Sequence, residues 1–201
     1  MKRRTLITAF ATGTLVLAAC GGDHNTHTTD SMTDGMTAAT SGIPADADFN
    51  DADVYFAQSM IPHHQQAVEM ADIALDPSVG AGEQVLDLAT RIQGAQDPEI
   101  DLMTGWLTAW GQPSMDEMPD HDMSSMKGMM SADEMDEMAT MTGAEFDTMW
   151  MEMMIRHHEG AVDMALTVTT DGKNPDVKVL ADAIVIAQKS EITEMQALLA
   201  G

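Results

Sequence analysis

Residues 60–71 read MIPHHQQAVEMA, and a similar stretch, MIRHHEGAVDMA, occupies residues 154–165. Eight of the twelve positions are identical, and the two copies lie 94 residues apart. A second matching pair follows, AQDPEI at residues 95–100 and AQKSEI at residues 187–192. The chain therefore contains an internal duplication, in which each copy joins a His-His segment to a second segment further along.

Each copy of the duplication predicts a helical hairpin. Apolar residues recur at spacings of three and four through both His-His segments, and no segment alternates as a β-strand does. We expect helices at about residues 50–75, 82–110, 144–169 and 174–199, with Asn174 as an N-cap before Pro175. Two such hairpins predict an all-α fold, a four-helix bundle with a pseudo-two-fold axis.

Heptad spacing places the duplicated residues on one inward face of each helix. The first copy contributes Phe56, Met60, His63, Ala67 and Met70, and the second contributes Trp150, Met154, His157, Ala161 and Met164. His64 and His158 lie about 100° further round and flank this seam. The candidate metal ligands are therefore Met60, His63, His64, Met70, Met154, His157, His158 and Met164.

The residues between the two hairpins differ from the rest of the chain. Residues 115–141 contain nine methionines and eight acidic residues. We interpret residues 112–143 as a mobile, Met-rich acidic linker that interrupts a bundle domain of residues 49–201, with methionines where no core requires them. Auxiliary metal ligands are expected among Asp53, Asp147, Met115, Met118, His121, Met123, Met126, Met129 and Met130.

The composition indicates a cationic ligand. The chain has 9 Lys and Arg against 33 Asp and Glu, a net charge of −24, and it contains 21 methionines. Nucleic acid is excluded as a partner because phosphate binding depends on Lys and Arg. Thioether sulfur prefers Cu(I) or Ag(I), and imidazole also suits Cu(II) and Zn, so copper(I) is the expected ligand.

The N-terminal residues predict export and a lipid anchor. Three basic residues precede an apolar stretch too short to span a bilayer, which ends in LAAC at residues 17–20. This ending resembles a bacterial lipobox. We therefore expect a signal peptide at residues 1–19, a lipidated Cys20 and a flexible tether at residues 20–48. The exported protein is expected to be lipid-anchored to the outer face of the cell membrane or to lie in the periplasm. The basic residues leave the export route open between general secretion and the twin-arginine pathway.

The motifs MIPHH at residues 60–64 and MIRHHEGA at residues 154–161 resemble a bacterial family catalogued as a domain of unknown function, with a ferritin-like fold, whose copper-binding member is called CopM. The resemblance covers about residues 49–201 without the variable linker. It implies a four-helix bundle outside the cytoplasm with a role in copper binding and resistance. Gln66 departs from the glycine that the family often has there, and Gly160 keeps it.

Three functions compete on this sequence. The first is a non-catalytic lipoprotein that sequesters copper or passes it to a copper-handling partner protein. The second is a structural or protein-interaction bundle whose His pairs only pack, because methionine and histidine at helical spacing often belong to a core. The third is a ferritin-like di-iron oxidase, which needs Glu-x-x-His motifs that this sequence does not contain.

Overall fold

The computed structural model describes residues 48–117 and 126–201. Within these residues there are five α-helices and no strand: α1 (Asp51–Leu75), α2 (Glu83–Trp110), α3 (Ala132–Thr140), α4 (Gly143–Asp171) and α5 (Pro175–Leu199). The all-α prediction is confirmed, and every end of the four long helices lies within two residues of its expected position. None of the described helices combines the length and the apolar character that a membrane span requires.

Polar side chains fix where the long helices begin. At the start of α1, Asn50 and Asp53 cap each other's backbone amides reciprocally, which is a capping box. At the start of α5, the Asn174 side chain accepts hydrogen bonds from two amides of the first turn, and Pro175 occupies the first helical position. The N-cap expected at Asn174 is therefore confirmed.

The helices pack as two hairpins that face each other. α1 packs along α2 and α4 packs along α5, while α1 and α4 meet in the middle of the bundle. Trp150, near the start of α4, donates its indole N–H to the carbonyl of Met70, near the end of α1, over 2.9 Å. The two His-His helices therefore run antiparallel, as a pseudo-two-fold axis between the hairpins requires.

Apolar side chains form two clusters at opposite ends of the bundle. One cluster contains Met70, Phe146 and Trp150, and the other contains Phe56 and Trp106. In both α1 and α4 the His-His pair lies between the residues of these two clusters. Four imidazoles therefore lie between the two apolar clusters, at the level where the two duplicated helices cross.

Each hairpin turn is held by a carboxylate of the other hairpin. The buried Asp53 of α1 accepts the amides of Lys173 and Asn174 over 2.9 and 3.1 Å. At the matching position of α4, Asp147 accepts the amide of Gly82 over 3.0 Å. Both carboxylates lie ten residues before a His-His pair, about 15 Å of helical rise. The structure thus gives them a role in closing the turns, which differs from the auxiliary metal role expected from the sequence.

Replacing Asp53 by alanine is expected to lower the free energy of unfolding by about 2–4 kcal/mol, because buried amides lose a charged acceptor. Urea unfolding of the metal-free protein would measure the loss. Asp51→Ala is the matched control, since Asp51 lies in the same helical turn but is exposed. Equal losses in the two variants would contradict the role assigned to Asp53.

The segment between the hairpins contributes to the core, and the expectation that no core requires its methionines is wrong for the described part. It contains a 3₁₀ turn at Met115–Glu117 and the nine-residue helix α3. Four of its methionines are at least nine-tenths buried: Met115, Met130, Met135 and Met138. Ser131 and Glu134 form a capping box that starts α3, and the two methionines of α3 then fall on one face. Packing therefore explains part of the methionine content.

Candidate metal centre

The four duplicated histidines lie in the middle of the bundle and are inaccessible to solvent. His63, His64, His157 and His158 each have 0 % of their surface exposed. The helical geometry explains the placement, because two consecutive residues on a helix point about 100° apart. One histidine of each pair therefore reaches the opposite His-His helix, and the other reaches the second helix of its own hairpin.

The inward histidines form a ring-to-ring contact across the pseudo-axis. The centroids of the His63 and His157 rings lie 3.8 Å apart with an interplanar angle of 41°. Nε2 of His63 lies 3.3 Å from the carbonyl oxygen of Lys127. Because a carbonyl only accepts hydrogen bonds, Nε2 carries the proton and Nδ1 of His63 keeps its lone pair.

The flanking histidines each bind a carboxylate of the neighbouring helix. Nε2 of His64 lies 2.8 Å from Glu99 of α2, and Nε2 of His158 lies 2.7 Å from Glu191 of α5. A carboxylate that accepts from one imidazole nitrogen orients the ring and makes the other nitrogen a better ligand. The two Glu–His pairs are equivalent under the duplication, and they again leave Nδ1 free to coordinate.

Five buried ring nitrogens of the four histidines have no hydrogen-bond partner within the described residues. They are Nδ1 of His63, His64, His157 and His158, and Nε2 of His157. An unsatisfied buried polar atom costs about 1–3 kcal/mol, so a fold that retains several of them calls for an explanation. Lone pairs on oriented, water-excluded imidazoles are what a borderline or soft metal ion binds, so the donor set fits such an ion.

Burial also keeps the inward histidines neutral. Loss of solvation, with a smaller effect of the neighbouring His64, lowers the pKa of His63 from 6.5 to about 3. Loss of solvation followed by repulsion from His63 lowers the pKa of His157 well below its ordinary value. A neutral imidazole is the form that coordinates metal, so these rings stay ready to bind even in mildly acidic surroundings.

Two of the candidate methionines lie beside the histidines. Met60 and Met154 precede His63 and His157 by one helical turn, and both are fully buried. Met60 belongs to the same cluster as Met103 of α2, and Met154 belongs to the same cluster as Met195 of α5. The structure thus places a pair of thioethers on either side of the imidazole layer.

The other two seam methionines lie further from the paired rings. Met70 and Met164 follow the inward histidines by seven residues, which is about 10 Å along the helix. Met70 lies level with Trp150, to which its carbonyl is hydrogen-bonded. Met164 is half-buried and lines a surface cavity of about 100 Å³ with Phe56 and Ser59. The structure does not bring these two thioethers to the His63–His157 contact.

The auxiliary ligands expected in the linker differ in burial, and three of them are not covered by the structure. Met118, His121 and Met123 lie outside the described residues. Met115 and Met130 are buried, while Met126 and Met129 are half-buried. In the part of the chain that the structure describes, no group of three or more His, Cys, Asp or Glu is placed to hold a metal ion. An ion with three or more protein ligands at the histidine layer would therefore need thioethers as well as imidazoles.

Sequence reasoning missed the carboxylates that orient the flanking histidines. Glu99 and Glu191 occupy matching positions of the duplication, in the stretches AQDPEI and AQKSEI. That match was the available signal, since a duplicated acidic residue on the partner helix is the expected partner for a duplicated buried histidine. Met103 and Met195 lie three residues beyond the matched stretches. They also occupy matching positions of the duplication, which marked them as candidate neighbours of the histidines.

The family profile described as domain of unknown function DUF305 matches residues 53–199. The chain belongs to the DUF305 family. The matched residues include both His-His pairs and nearly all of the four long helices.

Solved DUF305 structures have the same fold. A Streptomyces coelicolor DUF305 protein, predicted to be secreted, is 35% identical with a TM-score of 0.68, covering 74% of this chain and 92% of its own. A DUF305 fragment from Deinococcus radiodurans is 34% identical with a TM-score of 0.67, covering 75% of this chain and 97% of its own. The similarity therefore extends over almost the whole of each neighbour.

Copper-bound structures are also among the neighbours. CopM in its Cu(II)-bound form is 32% identical with a TM-score of 0.63, covering 74% of this chain and 95% of its own. CopM has also been crystallised with Cu(I) and with Ag. Among curated sequences, an uncharacterized protein of Acanthamoeba polyphaga mimivirus is 38% identical over 53 residues, and the match covers 35% of that protein.

Proposed function

We propose that this protein is an exported, non-catalytic binder of copper(I) that sequesters the metal, confers resistance to it or delivers it to a partner protein. The observation that carries the proposal is the buried contact of His63 with His157, two neutral imidazoles with unpartnered nitrogens at 3.8 Å between ring centroids. The DUF305 relative CopM, crystallised with Cu(I), Cu(II) and Ag, supports the same class of ligand.

The identity of the metal follows from the kinds of donor atom. Thioether sulfur from Met60 and Met154 is a soft ligand that favours Cu(I) or Ag(I), while imidazole also suits Cu(II) and Zn. A layer that offers both kinds of donor, with carboxylates only as hydrogen-bond partners, suits Cu(I) better than a hard cation. The large negative charge of the chain attracts cations to the surface without selecting among them.

The proposed location is outside the cytoplasm, with a lipid anchor at Cys20. The LAAC sequence at residues 17–20 supports the anchor, and it lies outside the described residues. The predicted secretion of the Streptomyces coelicolor relative supports an extracytoplasmic location. Cu(I) binding by thioethers suits such a location, since thioethers do not titrate and bind metal in acidic surroundings.

A second candidate function is a structural or protein-interaction bundle. It is favoured by the flanking histidines, because His64 and His158 already hold the carboxylates of Glu99 and Glu191 as core hydrogen bonds. On this view all four rings serve packing. A folded protein with no measurable affinity for Cu(I) or Ag(I) would favour this function over copper binding.

The donor set can be tested by removing the thioethers while keeping the side-chain volume. Met60→Leu combined with Met154→Leu is expected to weaken Cu(I) binding by about tenfold, because leucine fills the space but offers no sulfur. The measurement is a titration of the full-length protein against a chromophoric Cu(I) chelator. Met138→Leu combined with Met151→Leu is the matched control, since both methionines are buried in the core but lie outside the duplicated Met-x-x-His-His motifs.

The expected result is a loss of affinity in the first pair of substitutions and none in the control pair. Unchanged affinity in both, in a protein that still binds Cu(I), would remove these thioethers from the proposed site. Competition with Zn adds a second criterion. The wild-type protein should bind Cu(I) more tightly than Zn, and the ratio of the two affinities should be smaller in the double leucine variant.

A further inference from the structure

A short segment that begins at residue 126 crosses the outer side of α1 and α4 at the height of the His63–His157 contact. We call residues 126–131 the strap. Its Lys127 carbonyl accepts the hydrogen bond from Nε2 of His63 over 3.3 Å. Its Gly128 lies so close to α4 that an added methyl group would be 2.9 Å from the carbonyl oxygen of His157. The strap therefore touches both inward histidine residues.

Side chains of α1 and α4 fasten the strap at several points. Gln66 donates to the carbonyl of Met130 over 2.9 Å and accepts from the amide of Met130 over 2.7 Å. Lys127 forms an ion pair with Asp163 of α4. The paired Gln66 bonds are directed at backbone atoms, so they hold the path of the strap whatever side chain it carries at that position.

Two glycines let the strap lie against α4. Gly128 has a backbone φ of +87°, a conformation that disfavours other residues. Gly160, buried on α4, faces the strap so closely that a Cβ atom there would overlap the carbonyl oxygen of Lys127. Because Gly160 lies within the regular helix α4, its lack of a side chain serves the approach of the strap and not a turn.

The strap explains one asymmetry of the duplication. Gln66 and Gly160 occupy equivalent positions of the two repeats, 94 residues apart. One of them fastens the strap by hydrogen bonds, and the other makes room for it. The two copies therefore differ at this position because a single strap lies across both His-His helices and needs a different residue from each.

The closed position of the strap limits movement of the rings. Two imidazoles that share one ion at about 2.0 Å from each nitrogen have ring centroids about 5–6 Å apart, whereas those of His63 and His157 are 3.8 Å apart. Binding one ion between them therefore requires a ring to move. His63 is hydrogen-bonded to the strap and the strap covers the pair, so the ring is released when the strap opens.

We infer that the strap is the access element of the histidine layer: it opens to admit the ion and thereby sets the rate of metal uptake and release. The inference rests on the proposed function for the identity of the ion, but closure of the strap over the histidines can be tested without any metal. Gly160 and Gln66 are positioning residues in this scheme, because they hold the strap and have no contact with the ion.

The first experiment uses Gly160→Ala, which puts a methyl group where the backbone of the strap lies against α4. Alanine is a good helix-forming residue, so α4 itself is preserved. Gly94→Ala is the matched control, because Gly94 lies inside α2 and an added Cβ there meets nothing within 4 Å. Transfer of Cu(I) from a chromophoric chelate to the full-length protein, followed by stopped flow, is expected to be roughly tenfold faster in the Gly160 variant, as loss of one to two hydrogen bonds implies. The control should transfer at the wild-type rate.

The second experiment needs no metal. Diethyl pyrocarbonate modifies accessible neutral imidazoles, and mass spectrometry would locate the modified residues in the metal-free protein. His63 and His157 are expected to react roughly tenfold faster in Gly160→Ala than in Gly94→Ala, for the same loss of hydrogen bonds. Gln66→Ala, with Gln93→Ala as its control, provides a second route to the open strap should the glycine variant fold poorly.

The two experiments separate the two proposals. Faster histidine modification in the Gly160→Ala variant than in its control, together with a wild-type protein that binds no Cu(I), would support the strap and overturn copper binding. Cu(I) binding that needs both histidines, with unchanged transfer and modification rates in the Gly160 and Gln66 variants, would overturn the strap and leave copper binding in place.

Discussion

Replacing His63 and His157 together by phenylalanine is expected to lower the affinity for Cu(I) on the order of a hundredfold or more, since substitution of orienting partners alone costs 10–100-fold. Phenylalanine keeps an aromatic ring at each position and removes every ring nitrogen. Within the described residues, the contact of His63 with His157 is the only ring-to-ring contact of two histidines between α1 and α4. Competition with a Cu(I) chelator, read by absorbance, measures the change.

The matched control removes two histidines elsewhere in the chain. His24 and His27 lie outside the described residues, and their replacement by phenylalanine deletes the same number of imidazoles. We expect this variant to keep the high-affinity site. Equal losses in the two double variants would mean that imidazole content, and not the buried contact, determines affinity, and would contradict the proposed centre.

Mild acidification is expected to destabilise the metal-free protein, with a loss of about 2–3 kcal/mol between pH 7.5 and 5.5 from the two inward histidines. The native pKa of His63 is about 3 and that of His157 is lowered well below 6.5. In the unfolded chain both titrate near 6.5, so the unfolded state takes up protons first as the pH falls. The loss therefore begins near pH 6.5 and grows until the native pKa values are reached.

Urea unfolding at the two pH values, in the presence of a chelator, measures this dependence. The double phenylalanine variant at His63 and His157 should lose most of it, because it has no imidazole to protonate at these positions. A wild-type protein equally stable at both pH values would show that the rings accept protons in the folded state, contrary to their burial.

The long helices could be predicted from the sequence because local signals and the duplication agreed. Apolar residues repeat at helical spacing in both copies, Asn174-Pro175 marks a helix start, and the turns contain Pro or Gly. The inward positions of His63 and His157 followed from the same periodicity, which fixes the face of a helix on which a side chain lies.

Helix α3 and the buried linker methionines were missed for a physical reason. A nine-residue helix has too few turns for its periodicity to stand out, and its acidic residues resemble those of an unfolded linker. The capping box of Ser131 and Glu134 was visible in the sequence, followed by Met135 and Met138. Whether such methionines bind metal or fill a core depends on what packs against them, which the local sequence does not contain.

The partners of the histidines depend on tertiary contacts as well. Glu99 lies 35 residues from His64, and Lys127 lies 64 residues from His63. Charge pattern alone could not single out Glu99 in a chain with 33 acidic residues. The close approach of Gly128 to Gly160 could not be predicted either, because a glycine inside a helix ordinarily signals only a loss of helix stability.

The exchange of carboxylates between hairpins has a consequence for the origin of the fold. Asp53 closes the turn after α4, and Asp147 closes the turn after α1. In a single unduplicated hairpin, such an aspartate could not reach the amides of its own turn. Those amides would be satisfied by the aspartate of a second copy, and the first copy's aspartate would satisfy the turn amides of the second. That is the self-complementary contact of a symmetric homodimer. The present chain is the covalently joined equivalent, and joining the copies left each free to change separately, as Gln66 and Gly160 have done.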